Sequence, residues 1–342
     1  MTLHPVECRG ATQGLLHFRM PRKNLLTRIA CAFACLLLAA GASAQTYPQR
    51  PIRFVIPYAP GGNTDMIGRV LGAKLTESMG QTIVVENRGG AATLIGAENV
   101  AKSPADGYSM LLATSTTLAI NPHLYKTLPY DPLKDFTPVI LVARIPMVLV
   151  VHPALPVKNA RELIALAKAK PDQLSYATQG VGSPADMAML LFAEATGIKA
   201  IPVPYKGGAP GMIDLLAGNV TMMFDNGTVA YVKSGKLRAL VQTGEKRLAN
   251  QPDIPTAVEL GFKNCVFYPW QGVVVPAKTP PEIVARLQSE LRKALQQPDV
   301  RERITFDGAE VIAGSSTEFG EYIKSELNRF GRIIRATGVQ PQ

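Results

Sequence analysis

Ile52-Arg53-Phe54-Val55-Ile56-Pro57-Tyr58-Ala59-Pro60-Gly61-Gly62-Asn63-Thr64-Asp65 joins two elements through a turn suited to close approach. The β-branched and aromatic run Ile52–Ile56 reads as a buried strand. Two prolines and two glycines end it, and the spacing of Ile67, Val70, Leu71 and Leu75 then predicts a helix. Asn63, Thr64 or Asp65 is expected to cap that helix. Gly61 and Gly62 carry no side chain where something must come near the backbone. The unpaired N–H groups of the first turn and the helix dipole give that space a partial positive charge. Such a turn can hold a carboxylate or phosphate.

Working outward, strand and helix signals alternate along the chain. Strands are predicted at Thr82–Val85, Tyr108–Ala113, Val148–Val151, Leu174–Ala177, Ile201–Tyr205, Val220–Phe224, Lys236–Gln242 and Gly272–Val275. Helices are predicted at Ile95–Lys102, Ala160–Ala169, Ala185–Thr196, Gly211–Ala217, Pro281–Gln296 and Ser316–Ala336. Thr114–Thr117 reads as a polar turn and Asn121–Pro138 as turn-rich. The alternation implies α/β domains with mostly parallel sheets covered on both faces. Strand, glycine turn and helix recur at Thr178-Gln179-Gly180-Val181-Gly182-Ser183-Pro184, where Ser183 can cap and Pro184 suits the first helical position. Tyr205-Lys206-Gly207-Gly208-Ala209-Pro210 is a third such turn. Ligands of open α/β sheets bind at the carboxyl ends of strands. Turns spread over two domains therefore fit two half-sites facing across a cleft.

The N-terminal residues read as an export signal. Met20-Pro21-Arg22-Lys23-Asn24 is a basic region, Ile29–Ala40 is apolar, and Ala42-Ser43-Ala44 is a small-residue cleavage site, predicting a cut before Gln45. Met20 is the expected start, because residues 1–19 lack this logic. The apolar run is shorter than the roughly 20 residues of a membrane span. Of the 342 residues, 298 would remain, enough for two domains. They carry 31 basic and 25 acidic residues, a net charge of +6, which favours solubility and mild attraction of anions. No basic run is dense enough for nucleic acid. Cys265 alone would survive cleavage, so an internal disulfide is excluded, and the thiol reads as a small packed hydrophobe.

Much chemistry is missing. His123 and His152 sit beside prolines and read as loop residues. There is no nucleophile elbow, no His/Cys cluster with metal spacing and no Walker lysine. Gly180–Ala185 matches G-x-G-x-x-A, but the next strand ends Val203-Pro204-Tyr205-Lys206 without the acid that a dinucleotide site requires. No cofactor is implied. Recurrent anion-ready turns without a catalytic set describe a binder rather than an enzyme.

The pieces Tyr47-Pro48, Arg50-Pro51-Ile52, Pro60-Gly61-Gly62 with Asp65, Val85-Glu86-Asn87-Arg88, Pro104-Ala105-Asp106-Gly107-Tyr108 and Ala119-Ile120-Asn121-Pro122 stand in order along the first half. Gly182-Ser183-Pro184, Val203–Gly207, Phe224-Asp225, Ser234–Leu240, Pro252–Thr256 and Glu259-Leu260-Gly261 follow. In this order the chain resembles the Bug-type extracytoplasmic solute receptors, the binding components of tripartite tricarboxylate transporters, over nearly all of residues 47–336. The resemblance implies a two-domain fold like that of type II periplasmic binding proteins, with the ligand cleft between the domains. Residues 45–146 with 272–342 would form domain I, and residues 147–271 domain II. It implies a periplasmic, monomeric protein that closes on a small carboxylate and is then recognised by membrane permease subunits.

Carried onto this sequence, Tyr58, Pro60, Gly61, Gly62, Thr64 and Asp65 would form one side of a carboxylate cradle, with the hydroxyls of Ser115 and Thr116 beside it. Gly180, Gly182, Ser183 and Tyr205 would face them from the other domain, and Asp225 would meet the ligand's far end. Lys206 reads as a solvated loop charge, and Tyr268 and Trp270 as hinge packing. The family's usual Pro-Gly-Ala-Gly-Gly run is replaced here by Gly89-Gly90-Ala91-Ala92-Thr93. Backbone freedom falls there, and either Thr93 brings a hydroxyl to the pocket or the loop stands clear of the ligand. A sensor on the same fold reporting to a membrane kinase and an exported enzyme are the competing readings.

Overall fold

The computed structural model describes residues 47–171 and 173–337, so the expected leader and its cleavage site lie outside the described residues. Strand β1 (Ile52–Ile56) is followed by helix α1 (Asn63–Met79), β2 (Ile83–Asn87), α2 (Leu94–Ala101), β3 (Ser109–Thr114), the short α3 (Asn121–Leu124) and β4 (Phe136–Arg144). Next come β5 (Val148–Val151), α4 (Ala160–Ala169), β6 (Ser175–Thr178), α5 (Pro184–Thr196), β7 (Ile201–Pro204), α6 (Gly208–Leu216), β8 (Met222–Asp225), α7 (Val229–Lys233) and β9 (Arg238–Gln242). The chain ends with β10 (Trp270–Pro276), α8 (Pro281–Gln296), α9 (Pro298–Thr305), β11 (Glu310–Val311) and α10 (Ser316–Thr337).

These strands make two sheets, ordered β11-β4-β10-β3-β1-β2 and β7-β6-β8-β5-β9. The pairs β1–β2, β1–β3, β6–β7 and β6–β8 are parallel. The pairs of β10 with β3 and β4, of β11 with β4, and of β5 with β8 and β9 are antiparallel. The sheets are therefore mixed, not mostly parallel. The reversal comes from the strands that carry the chain between the sheets: β4 leaves the first, β5 enters the second, and β10 returns.

β4 begins inside the stretch read as turn-rich, which ends at Pro138, and its apolar remainder (residues 139–144) carries no strand in the sequence reading. That proline faces Val274 beside a register shift against β10. A missing N–H is tolerated at such an irregularity.

The two crossings are tied together. Ile145 N–H donates to Pro269 O at 2.9 Å, Thr243 N–H to Met147 O at 2.8 Å, and Phe267 N–H to Thr243 O at 3.0 Å. Trp270, fully buried, meets Phe319 edge-on at 5.6 Å between ring centroids and donates its indole N–H to Glu326 at 3.2 Å. A continuous buried cluster runs from Val55 and Leu111 in the first sheet to Leu149 and Phe224 in the second, with Trp270 and Phe330. Burying a residue of this size stabilises the fold by about 1.5–3 kcal/mol. On α1, Gly68 lies so close to Ile56 that a Cβ would collide with its side chain, which seats the helix tightly on β1. Cys265 is buried with its thiol pushed up to about 12 by burial and then by Glu194, in keeping with a packed side chain.

Candidate ligand-binding site

The turn between β1 and α1 is braced from behind. Asp65 accepts hydrogen bonds from Gly61 N–H at 3.0 Å, Arg69 Nε at 3.0 Å and Asn87 Nδ2 at 2.9 Å. Burial acts to raise its pKa, but these bonds and the Arg69 charge outweigh it and hold the carboxyl below the usual range. Asn87 also donates to Tyr58 O at 3.1 Å. Asp65 is thus turned away from the ligand space and shapes the loop. Gly61 has φ +92°, a conformation that costs other residues strain. Gly62 is the N-cap of α1, and no side chain caps the helix, contrary to the expectation for Asn63, Thr64 or Asp65. Asn63 and Thr64 instead accept from Gln271 Nε2, each at 3.2 Å.

The uncapped end faces a cavity of about 550 Å³, within the usual ~300–1,000 Å³ of small-molecule sites. Of the residues named from the sequence, Tyr58, Pro60, Gly61, Gly62, Thr64, Ser115 and Asp225 line it. Ser115 is 0% exposed, and its Oγ has no hydrogen-bond partner. Gln271 Oε1 and Gln179 Oε1, also in the wall, are buried without a donor. Unpaired buried polar atoms of this kind cost about 1–3 kcal/mol each unless a ligand or solvent satisfies them. The Tyr58 phenol is neutral at ordinary pH, its pKa raised by burial, and lies 3.5 Å from Thr114 Oγ1.

On the opposite wall the structure corrects the sequence reading. The Gly180–Pro184 turn reaches the cavity only through Pro184 and Gln179 beside it. Ser183 caps α5 by accepting from Asp186 N–H, and Thr178 Oγ1 lies 2.8 Å from its hydroxyl. Gly182 N–H donates to Asp186 Oδ2 at 2.9 Å, and its carbonyl accepts from Thr116 Oγ1 at 3.3 Å. This helix end is closed by its own side chains. Gly180, Gly182, Ser183 and Thr116 lie outside the cavity wall, and the Thr116–Gly182 bond links segments on the two sheets.

The facing turn is the third one. Lys206, Gly207, Gly208, Ala209 and Pro210 line the cavity. Gly207 is the N-cap of α6 at φ +126°, again with no side-chain cap. Lys206 is exposed, in keeping with a solvated loop charge, yet borders the cavity. Tyr205 does not: its hydroxyl donates to Asp214 at 2.7 Å and its pKa is pushed up to about 12 by burial and then by Asp214. It braces α6 from behind.

Asp225 closes β8, with Oδ1 accepting from Gly227 N–H at 2.7 Å. Burial, followed by the nearby Asp307 charge, pushes its pKa up to about 6. Asp307, between α9 and β11, is also in the wall and is raised by burial. Trp270 lines the cavity as well as packing the crossing, whereas Tyr268 does not. Thr93 is buried away from the wall, where its Oγ1 accepts from Thr117 Oγ1 at 3.0 Å. The Gly89–Thr93 loop stands clear of the cavity. Among the described residues, no group of acidic, His or Cys side chains is arranged to hold a metal ion, and no helix is long and apolar enough to cross a membrane.

Residues 67–339 match the family model described as "Tripartite tricarboxylate transporter family receptor". Protein BugT of Bordetella pertussis is 38% identical over 324 residues, covering 94% of this chain and 99% of BugT. Among solved structures, periplasmic binding protein BugD superimposes with a TM-score of 0.82 at 35% identity, over 86% of this chain and 100% of BugD. Rpa4515 of R. palustris, solved with adipate, gives 0.83 at 35% identity, over 86% of this chain and 100% of its own.

Proposed function

This chain belongs to the tripartite tricarboxylate transporter family of receptors, and from that premise we propose that it captures a small carboxylate in the cavity and delivers it to membrane permease subunits. Its fold is that of the periplasmic binding proteins. The observation that carries the reading is the uncapped N-terminus of α1 at the cavity, beside the buried and unpartnered Ser115 hydroxyl. A carboxylate oxygen satisfies both, because it accepts from backbone N–H and from a hydroxyl. Each charge-assisted bond of this kind adds about 1.5–3 kcal/mol before ordering costs. The uncapped end of α6 on the facing wall supplies further donors once the cavity narrows.

In this reading residues 45–146 with 272–342 act as one domain and residues 147–271 as the other, closing about the crossings at Ile145–Met147 and Thr243–Pro269. Ligand contacts on both walls shift the population toward the closed form. The closed monomer is the form the permease recognises. The stretch from Met20 to Ala44 acts as an export signal, so N-terminal sequencing of the exported protein should begin at Gln45. Adipate, bound by the relative Rpa4515, is the natural first probe.

Thermal-shift screening of mono- and dicarboxylates, followed by calorimetric titration, tests the function. A specific ligand at about 100 times its Kd should add about 2.7 kcal/mol of apparent stability. Absence of a shift with every carboxylate would refute the reading.

A further inference from the structure

The cavity wall contains acceptors that an ionised carboxylate, itself only an acceptor, cannot satisfy. Three charged side chains line it: Lys206, Asp225 and Asp307. Asp225 stands at the carboxyl end of β8 in the second sheet, and Asp307 in the turn before β11 at the edge of the first. Both line the same cavity, and the Asp307 charge adds to burial in disfavouring ionisation of Asp225. Asp225 Oδ1 is occupied by Gly227 N–H, while Oδ2 points past Gly208, 3.5 Å from where a Cβ on that glycine would stand. Among the described residues, neither carboxylate forms a salt bridge with Lys206 or any other cation.

Two further acceptors face the same space without donors, Gln179 Oε1 and Gln271 Oε1. Gln271 is only 9% exposed, and its Nε2 donates to both Asn63 and Thr64. A dicarboxylate would bring its second negative charge to a wall holding two acids against the single, exposed Lys206, and would donate to none of these acceptors. Unpaired buried acceptors and like charges both weaken binding. A group carrying several N–H donors and a positive charge meets both demands.

We propose that the ligand is a zwitterion, with its carboxylate at the α1 end of the cavity and an ammonium group held by Asp225 and Asp307. The proposal rests on the carboxylate reading and narrows it. The ligand class is the small aminocarboxylates with the amine remote from the carboxylate, and the acid pair rejects diacids of the same length.

Calorimetric titration at pH 7.5 with matched sets of four, five and six carbons tests the assignment. Each set comprises the monoacid, the diacid and the ω-amino acid, for example hexanoate, adipate and 6-aminohexanoate. In at least one set the amino acid should bind at least tenfold more tightly than both partners. Asp225→Asn and Asp307→Asn should each reduce that advantage to under threefold, with circular dichroism and the urea midpoint reporting that the variants are folded. Diacid or monoacid binding equal to or better than the amino acid in every set would overturn the ammonium site and leave the carboxylate reading standing. An amino-acid preference that survives in both Asn variants would overturn the role of the two acids. No binding by any member would overturn the carboxylate reading itself.

Discussion

Gly62→Ser should separate the ligand function of α1 from its stability. Gly61 and Gly182 begin two turns built alike: each donates its N–H to an aspartate four residues on, Asp65 and Asp186. Both helices begin one residue later, at extended N-caps, Gly62 with φ −89° and ψ 172° and Ser183 with φ −66° and ψ 160°. They differ in that Ser183 caps its helix and Gly62 leaves the first turn open. No atom lies within 4 Å of where a Cβ on residue 62 would stand, and its φ suits any residue. A serine there should therefore fold without strain, cap α1 and lose less chain entropy. The gain is about 0.5–1 kcal/mol, read as a higher urea midpoint at unchanged slope. The same hydroxyl occupies a donor that a ligand carboxylate needs. Losing one charge-assisted bond of about 1.5–3 kcal/mol weakens affinity roughly 10- to 150-fold. Titration of the best carboxylate found by screening gives the affinity. Wild-type affinity in the serine variant would refute the cradle, and a lower urea midpoint would refute the comparison with α5.

Three further outcomes follow from the same geometry. Ala92→Gly should stabilise the fold by about 0.5–1 kcal/mol, because Ala91, Ala92 and Thr93 all hold positive φ and Ala92 sits at 48°, 48°; a lower urea midpoint would contradict this. Ser183→Ala should cost about 1 kcal/mol through the lost cap of α5 yet leave carboxylate affinity within twofold, whereas a tenfold affinity loss would return Ser183 to the site. The two aspartates should give opposite pH dependences. Asp225 has a folded pKa near 6, above its unfolded value, so its contribution favours folding at low pH and is lost as pH rises through about 6. The urea midpoint of Asp225→Asn should therefore rise relative to wild type between pH 4.5 and 7.5. Asp65 is held low, so its contribution is present above about pH 4 and lost on acidification. Asp65→Asn should be destabilised at pH 7.5 and approach wild type as the pH falls; parallel curves for both variants would refute the assigned environments.

What could be read from the sequence was local. The β1 run, the glycine pair and the apolar period of α1 lie within one short stretch, and each acts through neighbours in the chain. Ser183 followed by Pro184 was likewise correctly read as a helix start. The error was to treat a helix start as a ligand site regardless of its cap. A serine cap uses up the donors that an anion would take, whereas Gly62 and Gly207 leave them free. The glycine pairs at 61–62 and 207–208 were thus the informative signal, and they mark the two open helix ends in the cavity wall. Lys206 next to the second pair could have been drawn in by the same argument.

The rest of the wall had no local signature. Gln271 reaches Asn63 across 208 residues of sequence, because β10 returns beside β3 after the excursion through the second sheet. Asp307 enters from the last edge of the first sheet, and Asp225 from the end of β8. Nothing in the residues flanking a lone glutamine or aspartate says which strand ends will be neighbours. Even β4, which sets β11 at that edge, has no place in the sequence reading, which passes from a turn-rich stretch ending at Pro138 to Val148–Val151. The donors proposed to hold a carboxylate are therefore encoded by short motifs, while the acceptors proposed to choose among carboxylates are brought in by topology. Relatives sharing the glycine turns can on this basis hold the same anion end and differ in ligand through single residues at positions equivalent to Gln179, Gln271 and Asp307. Exchanging Asp307 for Lys, which reverses one charge at the wall without touching either glycine turn, should then shift preference from amino acid toward diacid and leave monoacid affinity in place.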